Sequence, residues 1–193
     1  MRESLRNAGA TTDGEEKRLA LLKELRPSLS RVAVLSNPTN PYSVIAVEHA
    51  QRGAAALGLS LGVVELSAVS ELDVAFRAMR EKSADAALVI ANPFLAHERA
   101  LVAKLLVEHQ LPSISAYHEC AVAGGLMAYM TSYYDIFRRE AIFIDKIFEG
   151  AKPGDLPIEQ PTKFELVINL KTAKALGLEV PPSLLVHANR LIE

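Results

Sequence analysis

The sequence predicts an α/β fold: a doubly wound, mostly parallel sheet of about five strands with helices on both faces. Three observations predict it. Short apolar runs without polar alternation occur at Val32–Leu35 and Ala86–Ile90, as expected of strands covered on both sides. Helical periodicity fills the intervals between strands, so strand and helix alternate and the crossovers are right-handed. Proline-bearing turns follow both runs, Ser36-Asn-Pro-Thr-Asn-Pro41 and Asn92-Pro-Phe94, at the carboxyl strand ends where open α/β sheets place ligands.

Each element has its own signal. Residues 1–14 are polar and aperiodic and read as a flexible tail. From Glu15 to Leu25 leucines recur at helical spacing, and Pro27-Ser28 ends the run. After the first strand, Pro41 suits a helix N-terminus and Asn40 suits its cap. Tyr42–Leu57 then carries Val44, Val47, Ala50 and Ala54 on one face, with Gly58 as the stop. Leu59–Leu66 is a second strand. Ser70 with Asp73 resembles a capping box ahead of a helix bearing Leu72, Ala75, Phe76 and Met79. Ala84–Ala91 is the third strand, and Ala96–Gln110 a helix with Leu101, Val102, Leu105 and Leu106. Pro112–Tyr117 is the fourth strand and His118–Ala123 a short helical turn broken by Gly124-Gly125. Leu126–Met130 is the fifth strand. Tyr133–Gly150 is the strongest helix, with Phe137, Ala141, Ile144 and Phe148 in phase. The main lobe is therefore expected over residues 31–151. Residues 152–193 should hold an extended linker to Pro161, a strand at Phe164–Asn169, a short helix at Leu170–Leu176, and an amphipathic final piece at Ser183–Ile192.

Composition excludes several classes. The 193 residues carry a net charge of −2 without a basic stripe, which argues against a nucleic-acid partner. A single cysteine, Cys120, excludes an internal disulfide. No apolar run reaches the roughly 18 to 20 residues of a membrane span. Met1–Gly14 lacks an apolar core of the secretory type, so the chain expressed as given is expected in the cytoplasm. Neither a Gly-x-Gly-x-x-Gly fingerprint nor a P-loop nor a Gly-x-Ser-x-Gly elbow occurs, and no cofactor, catalytic residue or metal is expected. The triplet His118-Glu119-Cys120 lacks zinc-site spacing and reads as a loop-to-helix junction.

The remaining candidates belong to binding. Tyr117, Tyr129 and the pair Tyr133-Tyr134 fall near the carboxyl edge of the sheet, where amphipathic rings suit a pocket for a small, partly apolar molecule. Asn37, Asn40 and Asn92 can both donate and accept, which suits a solute's carboxylate or ammonium. Each has a competing role: a helix cap for Asn40, a turn residue before proline for Asn37 and Asn92, core packing for any tyrosine. Phe94 and His118 complete the candidate ligand-binding set.

Several stretches carry a family resemblance. They are Lys17–Leu25 with Arg31–Pro38, Ala123-Gly-Gly-Leu-Met-Ala-Tyr129, Asp145-Lys-Ile147, and Gly150–Gly177 with its Ala-Lys-Pro-Gly-Asp-Leu-Pro-Ile-Glu-Gln-Pro segment. Together these resemble substrate-binding proteins of ABC importers, some relatives of which bind tryptophan or tyrosine. The resemblance implies one Rossmann-like lobe of a periplasmic-binding-protein type I fold and a solute held in an interlobe cleft. It also implies delivery to an ABC permease and an extracytoplasmic, periplasmic or membrane-anchored location. Such proteins carry an N-terminal lobe and a leader, to which only residues 1–16 correspond here. On that reading residues 15–30 are a helix and crossover from the missing lobe, and the exposed surface it leaves would favour a homodimer. A sensor domain of the same fold without a permease, and an α/β enzyme, are the competing classes.

Overall fold

The computed structural model describes residues 9–157 and 161–193, with side chains from Gly14 onward. Among these, seven strands form one sheet: β1 (Arg31–Ser36), β2 (Ser60–Glu65), β3 (Ala86–Val89), β4 (Ser113–Ser115), β5 (Met127–Thr131), β6 (Phe164–Asn169) and β7 (Arg190–Ile192). The helices between them are α1 (Gly9–Leu25), α2 (Pro41–Ala56), α3 (Leu72–Glu81), α4 (Pro93–His97), α5 (Arg99–Glu108), α6 (His118–Val122), α7 (Tyr133–Phe148), α8 (Leu170–Ala175) and α9 (Pro182–His187). Strand order is β2-β1-β3-β4-β5-β6-β7. All neighbours run parallel except β5 and β6. The fold is thus the mixed α/β, mostly parallel architecture that the alternating pattern predicts, with its order reversing between β1 and β3.

The sheet separates two cores, and β1 shows why its run lacks polar alternation. Val32 and Val34 join one cluster with Leu88, Ile114 and the α1 leucines, while Ala33 and Leu35 join another with Phe76, Met79 and Leu106. Successive side chains point to opposite faces of a strand, and here both faces are covered.

Five expectations change. The first concerns α1, which starts at Gly9, so residues 9–14 are helical where a tail is expected; residues 1–8 lie outside the described set. Gly14, Glu15 and Arg18 are buried, which extends the docked face one turn before the leucines. The resemblance assigns this helix to a preceding lobe, yet Leu19 and Leu22 lie in the same core cluster as Val34 and Leu88. The second concerns the Ser70–Asp73 box, which does not form. Instead Glu71 reaches back to accept from the backbone N–H groups of Ser67 and Ala68 at 2.6 and 3.2 Å, and a 3-10 turn, Val69–Glu71, leads into α3. The third is that the Ala96–Gln110 helix begins at Pro93 and breaks at Glu98, giving α4 and α5. The fourth concerns the final piece, which is helical only to His187. Asn189 supplies both ladder bonds to Leu166, donating through its N–H and accepting through Oδ1 at 2.8 Å each, and so turns the last residues into β7. The fifth concerns the linker: Pro153–Asp155 makes a 3-10 turn, and residues 158–160 lie outside the described set.

Helix α7 stands apart. Its apolar period is present as predicted, but Phe137 is 65% exposed, Ile144 52% and Phe148 85%. Its buried residue is the carboxylate Asp135. That carboxylate is clasped by Arg139 Nε at 2.9 Å, Arg138 Nη2 at 3.3 Å and Lys163 Nζ at 3.4 Å. Arg139 also donates to Thr162 Oγ1 at 2.9 Å, and Ser132 N–H donates to Lys163 O at 2.9 Å. The segments entering and leaving the α7 region are thereby tied side by side.

Candidate functional site

A cavity of about 430 Å³ opens at the carboxyl rim, within the size range of small-molecule sites. It lies beside the β1/β3 reversal in strand order, where doubly wound sheets leave a crevice. The turns after β1 and β3 contribute Asn40, Tyr42 and Pro93; β4 and β5 lead into Tyr117 and Thr131. Tyr133 and Ile136, from the first turns of α7, form the opposite side, and Phe164 at the start of β6 closes one end. The lining is mainly apolar and aromatic, with few polar groups.

The two Asn-Pro caps on this rim are the same device. Asn40 Oδ1 accepts from Tyr42 N–H at 3.1 Å and starts α2; Asn92 Oδ1 accepts from Phe94 N–H at 2.8 Å and starts α4. Each asparagine satisfies an amide that the helix leaves free, and each proline occupies a first-turn position that needs no N–H. Asn37 does something else. Its Oδ1 accepts from Thr39 N–H at 2.9 Å and Thr39 Oγ1 at 2.7 Å, which closes the turn.

The seven residues singled out from the sequence are not gathered in one place. Asn40 and Tyr117 line the cavity. Asn37 and Asn92 are buried in turn and cap roles, their oxygens already engaged. Phe94 packs against the core on the α3–α5 side of the sheet. His118 lies behind the rim against Met130, its N–H donating to Sδ at 3.2 Å and its Nδ1 3.3 Å from the same sulfur. Tyr129 stacks on Phe164, with ring centroids 5.3 Å apart and planes 7° from parallel, and faces a smaller adjoining cavity of about 210 Å³.

Electrostatics sharpen the picture. Burial, with the Tyr133, Tyr42, Cys120 and Glu119 groups adding to it, pushes the Tyr117 phenol up to about 12, so it stays a hydroxyl donor at physiological pH. Burial, with Glu119 nearby, also raises Tyr133. Burial raises the Cys120 thiol, which makes it a poor nucleophile. His118 Nε2 is 3.6 Å from Glu119 Oε1, but among the described residues no three His, Cys, Asp or Glu side chains converge to hold a metal.

Sequence reasoning missed the one charged side chain on the cavity wall among the described residues. Arg18, 4% exposed, reaches from α1 and donates from Nε to the Tyr129 carbonyl oxygen at 2.7 Å. Its Nη1 lies 2.6 Å from Oε1 of the fully buried Glu15. At that distance the two form a buried ion pair. Desolvation raises the Glu15 carboxyl, opposed by the charge of Arg18 and by a hydrogen bond from its side chain.

Comparison with known proteins defines the class. Residues 11–192 match the model of the family described as ABC transporter substrate binding protein, and the chain belongs to that family. A protein of Clostridioides difficile (strain R20291) described as a tyrosine-binding protein is 24% identical over 175 residues, 90% of this chain and 50% of that protein. Among solved structures, a conserved domain protein of Vibrio cholerae superposes with a TM-score of 0.83 at 24% identity, over 92% of this chain and 60% of that one. A Streptococcus pneumoniae ABC domain solved in complex with L-Trp superposes with a TM-score of 0.82 at 24% identity, over 92% and 62% respectively. The chain thus spans about half the length of the curated relative it matches. No described helix is long and apolar enough to cross a membrane.

Proposed function

We propose that this chain is a solute-binding lobe of an extracytoplasmic ABC importer component, which holds an amino acid at its carboxyl rim for delivery to a permease. The observation that carries this reading is the 430 Å³ cavity, walled by Tyr42, Tyr117, Tyr133 and Phe164 and set at the strand-order reversal. Its chemistry fits a flat, partly apolar guest: aromatic walls for the body, and an arginine, a threonine and a tyrosine hydroxyl for the polar end. No catalysis is needed for such a role. A binding lobe requires oriented polar groups and a second wall that closes when the guest is present. The relatives named above, one a tyrosine-binding protein and one solved with L-Trp, support an aromatic amino acid as the guest. The uncovered Phe137, Ile144 and Phe148 support a second body against α7. A second lobe fits that role better than a second copy of this chain, because the relatives are longer.

Isothermal titration against a panel of amino acids tests the reading. Aromatic amino acids should bind weakly to this chain and tightly once a second lobe like that of its relatives is joined to it. Binding restricted to small aliphatic solutes, or turnover of a metabolite by the purified protein, would overturn it.

A further inference from the structure

The geometry points to Arg18 as the anchor of a ligand carboxylate, making the preferred guest an aromatic carboxylate held by its acid end against α1. This rests on the cavity being a solute site. Among the described residues lining the cavity Arg18 is the only charged one, and its charge is positive. A guanidinium presents five N–H donors in a planar fork. Nε is spent on the Tyr129 carbonyl. Nη1 is ion-paired with Glu15 through one of its two N–H groups, and no bond from Nη2 to a described residue is present. The two η nitrogens therefore retain unfilled donor directions on an arginine only 4% exposed beside an apolar cavity.

Burying a guanidinium with a carboxylate is expensive, and the cost is recovered only when remaining donors and acceptors are satisfied. Here they are only partly satisfied: the fork's contacts with described residues are the Tyr129 carbonyl at Nε and Glu15 at Nη1, which leaves Nη2 without an acceptor among them. A planar carboxylate arriving from the cavity supplies the missing acceptors in the geometry the fork prefers. Glu15 does not line the cavity and contacts the guanidinium at Nη1. The Nε bond to the Tyr129 carbonyl, in the middle of β5, fixes the plane of the fork. Tyr117, kept protonated, offers a second donor on the same wall. No described carboxylate lines the cavity, so this wall carries no counterpart for an ammonium. Recognition here is of the acid end.

The experiment compares L-tyrosine, 3-(4-hydroxyphenyl)propionate and tyramine by titration calorimetry on the full-length protein and on Arg18→Met. A charge-assisted bidentate contact predicts that tyramine binds at least about tenfold more weakly than the propionate, and that Arg18→Met removes most of that difference. The ligand series tests the assignment even if Arg18→Met fails to fold, because it leaves the protein intact. Tyramine binding as tightly as the propionate, with L-tyrosine still bound, overturns Arg18 as the anchor while leaving the solute site standing. Failure of all three, and of L-tryptophan, removes the site reading and the anchor with it.

Discussion

Gly53 of α2 packs directly against the α1 backbone at Glu16, and replacing it by alanine tests how firmly the first helix is seated. An alanine Cβ at position 53 would lie 2.9 Å from Glu16 Cα, about half an ångström inside the 3.4 Å at which ordinary contact begins. The opposing atom is backbone, so no side-chain rotation relieves the overlap; α1 must move. In an unobstructed helix Gly→Ala gains about 1 kcal/mol from lower chain entropy. Overpacking a seated interface costs about 1–3 kcal/mol. The overlap should win, and Gly53→Ala is expected to lower stability by about 1 kcal/mol, read as a lower urea midpoint at unchanged slope. Because α1 carries Arg18, whose bond to Tyr129 is 2.7 Å long, the same shift should also weaken solute binding. A raised midpoint with unchanged binding would show that the two helices slide freely and that α1 is not a fixed wall.

Other expectations follow from single residues. Phe76→Ala deletes a fully buried ring on the α3 side and should cost about 3–5 kcal/mol in the same unfolding assay. Phe148→Asp, at 85% exposure, should leave the unfolding midpoint of this chain unchanged but abolish affinity for a second lobe supplied in trans; a large loss of stability would mean α7 packs on its own lobe. Asp135→Asn should loosen the clasp and raise the proteolysis rate of the 161–163 segment. Burial alone would raise the Asp135 carboxyl, but hydrogen bonds from Arg139, Arg138 and Lys163 outweigh it and hold it below its usual value. With a depressed folded value, its contribution is complete above about 3.9 and fades as pH falls through the lower folded value, so cleavage should accelerate only under strongly acidic conditions. Acceleration between about pH 5 and 7 would assign that range to another group, since no carboxylate with a depressed value titrates there.

Much of the fold was legible because β1 and β3 are covered on both faces, and a continuous apolar run as short as Val32–Leu35 between two turn signals fits a central strand better than a helix. β7 was not, because three residues with one partner strand carry no periodic signal, and what places them is the single side chain of Asn189. Helix α7 shows the limit of periodicity: the Phe137–Phe148 stripe reports an amphipathic helix but not what covers it. The site was legible only in part. Strand ends marked the rim and drew attention to Tyr117 and Asn40. A strand residue two positions short of the rim, Tyr129, turns instead onto Phe164 in the neighbouring cavity. Arg18 was invisible because an arginine in a run such as Glu15-Glu-Lys-Arg18 reads as solvated surface, and only tertiary burial distinguishes it from Lys17.

The paired Asn-Pro caps have a consequence for selectivity. Proline rings lock the chain direction on two adjacent crossovers, and the amide bonds at Tyr42 and Phe94 hold the backbone that follows. That half of the cavity is preformed, so a guest loses little freedom of the host in meeting it. Shape discrimination belongs to the immobile jaw, whereas whatever entropy binding demands falls on the α7 jaw, which is held chiefly near its first turns, by the Asp135 clasp and the Tyr133–His118 ring contact.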